Sequence, residues 1–390
     1  VLDSHPGMRE QSISMARKGK SKSGKAGQKV RVAFRRNRSK PARAKDWSHL
    51  DDPRDESADA LPHSESVVAK GDLSRKRTII ESDEAAKGDH AGIVVAMRGL
   101  IAEVDDGERV WPCTVRRILR TRKIDERNPV TVGDRVHFSI EADAEGVLNE
   151  GVIEAVEPRR GTLVRIAGRR KHVVAANVDQ ALIVASVGIP ALKPHLIDRY
   201  IVAAGHGEIA PIVCINKIDL DAEADADAVL ALYRELGYAA LATSAQDGTG
   251  IAALRGLLAG QCTAVAGQSG VGKSSLLNAV DPQLNLRVGE VIEETLKGRH
   301  TTTTAQLLPL CGGGYVVDTP GVKSFDLSAV PLAEIEAHFT EFAAHIPNCR
   351  FADCTHTHEI KCAVKQAVES GEITEQRYES YVRMFSERAG

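Results

Sequence analysis

The chain has 390 residues, 51 basic and 53 acidic, with 43% apolar and 27% charged residues, a water-soluble composition with length for two or three domains. No apolar run approaches the about 18 residues of a membrane span, and the polar, basic start lacks the apolar stretch of a secretory signal. A membrane protein is excluded on this reading, and a cytoplasmic location is expected.

The net charge of −2 conceals an asymmetry. Residues 1–45 carry 14 Lys/Arg against Asp3 and Glu10, whereas the remainder holds 37 basic and 51 acidic residues. A basic arm on an acidic body points to a polyanionic partner, most simply nucleic acid. Residues 1–86 are too poor in apolar side chains to offset the entropy of ordering and read as a disordered tail and linker. Such an arm gathers phosphates by counterion release; the competing reading is a solubilising tail.

Residues 87–160 read as short strands at 92–97, 108–114, 134–140 and 151–156, separated by turn signals such as Asp105-Asp106-Gly107. About five short strands in this length predict a closed barrel of the OB type. The basic run Arg116, Arg117, Arg120, Arg122 and Lys123 suits nucleic acid, although such a barrel can also serve only to pack on its neighbour.

In residues 161–330, apolar strands are predicted at 180–187, 211–215, 241–243, 262–266 and 314–317, with helices at 224–236, 251–259 and 274–280. This alternation predicts a mainly parallel sheet with helices on both faces. Residues 331–390 read as two helical stretches, 332–342 and 363–384, around a Cys/His cluster.

The most specific motif is Gly267-Gln268-Ser269-Gly270-Val271-Gly272-Lys273-Ser274-Ser275, after a strand and opening a helix. Its glycines let backbone N–H groups wrap phosphates, Lys273 reaches the β- and γ-phosphates, and the Ser274 hydroxyl takes Mg²⁺. Asn216-Lys217-Ile218-Asp219 closes another strand; the Asp219 carboxylate can accept from guanine N1–H and the 2-amino group together, a pair adenine does not offer. Thr243-Ser244-Ala245 follows the next strand and reads as the loop that supports the guanine through a backbone N–H. Asp318-Thr319-Pro320-Gly321 ends a further strand, with Asp318 on the magnesium shell and the Gly321 N–H at the γ-phosphate. Between these motifs lies Gly298-Arg299-His300 and a run of threonines, of which Thr301 or Thr302 completes the shell.

Common GTPases run in the order phosphate loop, switch threonine, DxxG, NKxD. Here NKxD comes first, so the fold is expected to be circularly permuted, its old termini rejoined. Val322 stands where Ras-like enzymes carry a water-orienting glutamine. His300 is the nearest candidate to align water in its place, the competing reading being a solvent-exposed loop histidine.

Cys349, Cys354, His356 and Cys362 have the ligand types of a closed, structural zinc site, one ion per chain, with His358 a rival fourth ligand. Cys113, Cys214, Cys262 and Cys311 lie in or beside apolar strands and read as buried small residues.

These motifs together resemble the circularly permuted, ribosome-associated GTPases called RsgA, assembly factors of the bacterial small ribosomal subunit. The resemblance spans residues 90–385 and rests on the motif order, the 267–275 loop and Cys354-x-His356-x-x-Glu359-x-x-Cys362. Ile360 stands where the family often has proline, and nothing carries over to the tail. The resemblance implies GTP hydrolysis to GDP stimulated by the small subunit and its ribosomal RNA, with release after hydrolysis. The fold expected is therefore an N-terminal OB-type β-barrel, a central α/β P-loop GTPase and a C-terminal helical zinc-binding domain, in a monomer. A competing function is a nucleic-acid-binding protein in which guanine nucleotide is only a conformational ligand. A small-molecule kinase or transport ATPase is disfavoured by the NKxD motif.

Overall fold

A computed structural model describes residues 28–33, 76–81, 88–116, 129–142, 148–167, 170–220, 223–286, 305–318, 325 and 327–389. The chain divides into two compact units, residues 1–85 and 86–390. In the first, strands β1 (Gln28–Ala33) and β2 (Lys76–Glu81) pair antiparallel. This departs from the expectation of a tail without regular structure. The period-two pattern Lys29, Val30, Arg31, Val32 is a strand pattern hidden within the basic composition.

The second unit begins with β3 (His90–Arg98), β4 (Ile101–Asp105), β5 (Val110–Val115), β6 (Arg135–Ala142) and β7 (Leu148–Val156). Their order is β3-β4-β5-β7-β6, and β6 pairs back onto β3 to close a five-stranded barrel. The β5–β7 pairing is parallel and the others antiparallel. Alternation fills the barrel: in β5, Trp111, Cys113 and Val115 turn inward to meet Val94, Val104, Phe138 and Ile153. The sequence reading named no strand at 101–105; β4 follows β3 after the two-residue turn Gly99–Leu100. A hairpin of β8 (Leu163–Ala167) and β9 (Arg170–Ala175) follows.

The remaining strands are β10 (Gln180–Ser186), β11 (Ala210–Asn216), β12 (Ala239–Ala242), β13 (Cys262–Ala266), β14 (Gln306–Pro309) and β15 (Tyr315–Asp318). They are ordered β12-β11-β10-β13-β15-β14, all parallel except β14. The phosphate-loop strand β13 lies at the centre, yet β10, β11 and β12 precede it in sequence. This is the permuted strand order expected from the motif order. Helices α1 (Pro194–His206) and α2 (Glu223–Glu235) cover one face, and α3 (Ile251–Leu258) and α4 (Lys273–Val280) the other. In β10, Ala181 and Ile183 pack with Ile197, Ile201 and Tyr233 on the first face. Leu182 and Val184 pack with Leu254, Leu258 and Leu276 on the second. Both faces being covered explains why β10 reads as a continuous apolar run rather than an alternating one.

The C-terminal region corrects two expectations. Residues 332–342 are not an α-helix but three 3₁₀ turns, Leu332–Glu334, Glu336–His338 and Thr340–Phe342. Phe339 leaves the helical range (φ −101°, ψ 79°). That break lets Phe339 and Phe342 both pack on Tyr381, with ring centroids 5.4 and 5.1 Å away. The stretch 363–384 is two helices, α5 (Ala363–Glu369) and α6 (Glu375–Ala389), separated at Gly371 (φ +81°).

This region docks on α1 through a buried ionic group. Arg377 donates to Asp198 Oδ1 (2.6 Å) and Glu341 Oε1 (2.6 Å), lies 4.3 Å over the Phe339 ring and is 1% exposed. The Tyr233 hydroxyl donates to the same Asp198 oxygen (2.7 Å). Removing one member of a buried ion pair leaves a charge uncompensated, at a cost of about 3–5 kcal/mol. Asp198→Ala should lower stability by that amount, seen as a fall in the denaturant midpoint; a midpoint within error of the unmutated chain would show that the pair contributes nothing.

Candidate functional site

The phosphate loop is shaped by glycine. Gly267 (φ +141°) and Gly272 (φ +90°) adopt conformations that disfavour side chains, and Gly272 immediately precedes α4. A Cβ on Gly272 would lie 2.5 Å from Asn216 Nδ2, and one on Gly267 would lie 2.2 Å from the Val184 carbonyl oxygen. The loop therefore approaches two neighbouring strands more closely than any side chain permits. Lys273 folds over it, donating to the carbonyls of Gly267 (2.9 Å) and Gln268 (2.8 Å). Ser274 and Ser275 lie in the first turn of α4, whose N-terminus carries the positive end of the helix dipole. Ser269 and Gly270 are exposed at the loop tip, and Val271 is buried beneath it.

Asn216 ends β11 and is 1% exposed. Its amide donates to the Val271 carbonyl (2.9 Å) and accepts from the Thr243 hydroxyl (3.2 Å). One side chain thus ties the phosphate loop to the ends of β11 and β12. Lys217 (φ +63°) donates to the Ile189 carbonyl (2.9 Å) in the loop after β10. Ile218 begins a 3₁₀ turn, Ile218–Leu220, that leaves Asp219 exposed. The buried Ser244 hydroxyl donates to Asp219 Oδ1 (2.6 Å) and accepts from the Gln246 and Asp247 amides (3.2 Å each). Ala245 is half-buried beside it. The structure therefore brings the 216–219, 244–245 and 267–275 groups to one end of the parallel sheet, where ligands sit in open α/β folds.

Asp318 ends β15. Burial pushes its carboxyl up from the ordinary value, opposed by a hydrogen bond from Gln306 Nε2 to Oδ2 (3.2 Å). His300, Thr301, Thr302 and Gly321 lie outside the described residues. Gln306 is the residue that sequence reasoning left out of the site; Thr243, read with Ser244 and Ala245 as a base-supporting loop, also holds the Asn216 amide. Gln306 is visible only through strand register.

The cysteine cluster is assembled by long-range packing. The Sγ atoms of Cys349, Cys354 and Cys362 and a ring nitrogen of His356 all lie within 4.8 Å of one another. Cys349 Sγ is 3.9 Å from Cys362 Sγ and 3.6 Å from His356 Nδ1, which is 3.3 Å from Cys362 Sγ. A tetrahedral ion with zinc–sulfur bonds requires sulfurs roughly 3.8 Å apart, so the donor set fits. His358 is exposed, engages Thr357 and is not part of the cluster. Glu336 Oε2 lies 3.2 Å from the outer His356 nitrogen, Nε2, without hydrogen-bond geometry. Glu359 secures the loop instead. Burial raises its carboxyl, but donation from the Thr355 hydroxyl (2.5 Å), the Thr355 amide (2.6 Å) and the Thr357 amide (3.0 Å) prevails and holds it at about 2. The Tyr378 and Tyr381 hydroxyls of α6 donate to the carbonyls of His356 and Thr355 (2.8 Å each). Of the other cysteines, Cys113 and Cys214 are buried as expected and Cys262 partly so. Cys311 is exposed, because it lies in the turn after β14 where its N–H reaches Asp281 (2.7 Å).

A family model described as RsgA GTPase matches residues 156–328. The small ribosomal subunit biogenesis GTPase RsgA of Thermotoga petrophila is 44% identical over 305 residues, covering 77% of this chain and 97% of that protein. Its counterpart in Chlorobaculum tepidum is 40% identical over 308 residues, covering 77% and 98%. The crystal structure of YjeQ from Thermotoga maritima is 39% identical, covers 77% of this chain and 99% of its own, and superposes with a TM-score of 0.62. YloQ, a circularly permuted GTPase, gives 32% identity, 77% and 95% coverage and a TM-score of 0.61.

The close approach at Gly272 gives a direct test. Gly272→Ala places a methyl against the Asn216 amide in a left-handed conformation, at a cost of about 1–3 kcal/mol. Guanine-nucleotide affinity, measured by titration with fluorescent GDP, should fall roughly five- to hundredfold. Unmutated affinity would show that the Asn216 tie is dispensable.

Proposed function

The chain belongs to the RsgA family of GTPases, and from this membership we propose that it hydrolyses GTP to GDP and phosphate on the small ribosomal subunit, assists late maturation of that subunit, and leaves after hydrolysis. The reading is carried by one observation: the phosphate loop and the guanine-type NKxD loop are joined through Asn216 at a single sheet end. On this reading Asp219 reads the guanine edge, steadied by Ser244 and Ala245. The 267–275 backbone and Lys273 receive the phosphates. Mg²⁺ accompanying the nucleotide would supply positive charge against the negative charge of the phosphates. Its holders on this chain are Ser274, Asp318 and Thr301 or Thr302, and the Gly321 N–H meets the γ-phosphate. His300 accepts a hydrogen from the attacking water in place of the missing glutamine.

The Cys349, Cys354, His356, Cys362 set is assigned one structural zinc ion. The barrel and basic arm are assigned to ribosomal RNA. The organisation proposed is a basic arm and linker (1–86), barrel (87–160), GTPase domain (161–330) and zinc domain (331–390), in a monomeric cytoplasmic protein. Among the described residues no helix is long and apolar enough to cross a membrane.

Turnover of GTP should rise when purified small subunits are added. In His300→Ala that stimulated rate should fall by about 10²–10⁴-fold, the range for loss of an aligning base, while GDP affinity holds. Stimulated turnover at the unmutated rate would remove His300 from the mechanism. Elemental analysis should find one zinc per chain. Glu359→Ala should weaken zinc retention against a chelator, because the hydrogen bonds that fix the backbone on either side of His356 are lost. Zinc-free purified protein would refute the assignment.

A further inference from the structure

Gln306 stands at a junction the family motifs do not include. It is the first residue of β14, directly after buried Ala305 and two residues beyond Thr304, the end of the threonine run. In the β14–β15 ladder it lies opposite Asp318, and its side-chain amide donates to Asp318 Oδ2 (3.2 Å). On its other side it is registered with Ala96 of β3, the position where the barrel joins the sheet. Its backbone is therefore held between two strands, which makes its side chain a short arm on a fixed base.

Asp318 needs such an arm. As the last residue of β15 it has no further strand to constrain it, and the terminal torsion of an aspartate is broad and roughly two-fold. A donor on one oxygen selects one orientation of the carboxylate plane and leaves the other oxygen free to face a ligand. Carboxylates that hold metal ions are commonly fixed in this way by a neighbouring donor.

We propose that Gln306 is a positioning residue that orients the Asp318 carboxylate for the magnesium ion accompanying the nucleotide. The inference rests on the assignment of Asp318 to the magnesium shell made above. Gln306 touches neither nucleotide nor metal itself; it acts through the carboxylate. Being exposed, it can be replaced at little cost to the core.

The test uses the full chain, a fluorescent non-hydrolysable GTP analogue and magnesium chloride. Binding is measured in EDTA and then against rising Mg²⁺ for the unmutated chain, Gln306→Met and Asp318→Asn. Gln306→Met should raise the Mg²⁺ concentration for half-maximal enhancement of binding about tenfold. Its affinity in EDTA and its unfolding temperature in EDTA should match the unmutated chain. An unshifted Mg²⁺ dependence in Gln306→Met, or an equal loss of affinity in EDTA, overturns the positioning role. Asp318→Asn should abolish the Mg²⁺ enhancement. Enhancement that persists in Asp318→Asn removes Asp318 from the shell, and the role of Gln306 falls with it; its loss in Asp318→Asn with no shift in Gln306→Met refutes Gln306 alone.

Discussion

The buried amide of Asn216 is the point on which the nucleotide end of the sheet depends. It donates to the Val271 carbonyl and accepts from Thr243, so three loops from β11, β12 and β13 share one side chain. A buried amide left without these partners would cost about 1–3 kcal/mol, and only glycine at 272 permits the approach. The bond matters more because of the permutation. In this chain order the base-reading loops are made before the phosphate loop, and α3 returns the chain from β12 to β13. Nothing local in sequence holds residues 216 and 271 together; the sheet order does, by placing β10 between β11 and β13.

The permutation also decides where the chain goes after Asp318. Phe325 belongs to the main core and packs edge-on against Tyr200 of α1, with ring centroids 6.3 Å apart. Leu327 then enters a third core with Phe339, Phe342, Tyr381 and Val202. Chain leaving Asp318 is thus anchored at Phe325 to the helix that follows β10. The region of the cysteine cluster and the sheet end that carries the phosphate loop are joined through α1 as well as through the chain itself.

What was legible in the sequence was what is local. The phosphate loop, NKxD and the cysteine cluster each occupy a short window, and each falls where its residue types implied. The β10 and β13 strands announced themselves as apolar runs because helices cover both faces. Helix α1 was not seen, although Ile197, Ile201 and Ala204 are buried at helical spacing; the helix starts at Pro194 without a side-chain cap, and buried Asp198 interrupts its apolar face. The 332–342 segment misled in the opposite direction. Its apolar residues Leu332, Ile335, Phe339 and Phe342 fit an α-helix, but spacings near three also suit 3₁₀ turns, and the choice was made by packing on Tyr381. Glu336 beside His356 and Gln306 opposite Asp318 were invisible for the same reason: their partners are distant in sequence.

The buried ionic group at Arg377 makes these parts one body. An arginine that is almost fully buried is tolerable only with its partners in place, and they come from two separate segments: Asp198 from α1, and Glu341 and the face of Phe339 from the 3₁₀ turns. Burial alone would depress the guanidinium's pKa, but the two carboxylates more than reverse this and raise it. Separation of the C-terminal region from α1 would expose the apolar third core and leave Asp198 and Tyr233 facing each other without the cation. Partial opening is therefore penalised twice, once in apolar area and once in charge. The cysteine cluster gains from the same contact, since Tyr378 and Tyr381, which hold the carbonyls of its loop, lie on the helix that Arg377 pins to α1. The cysteine cluster and the docking contact on the sheet are thus linked through α6.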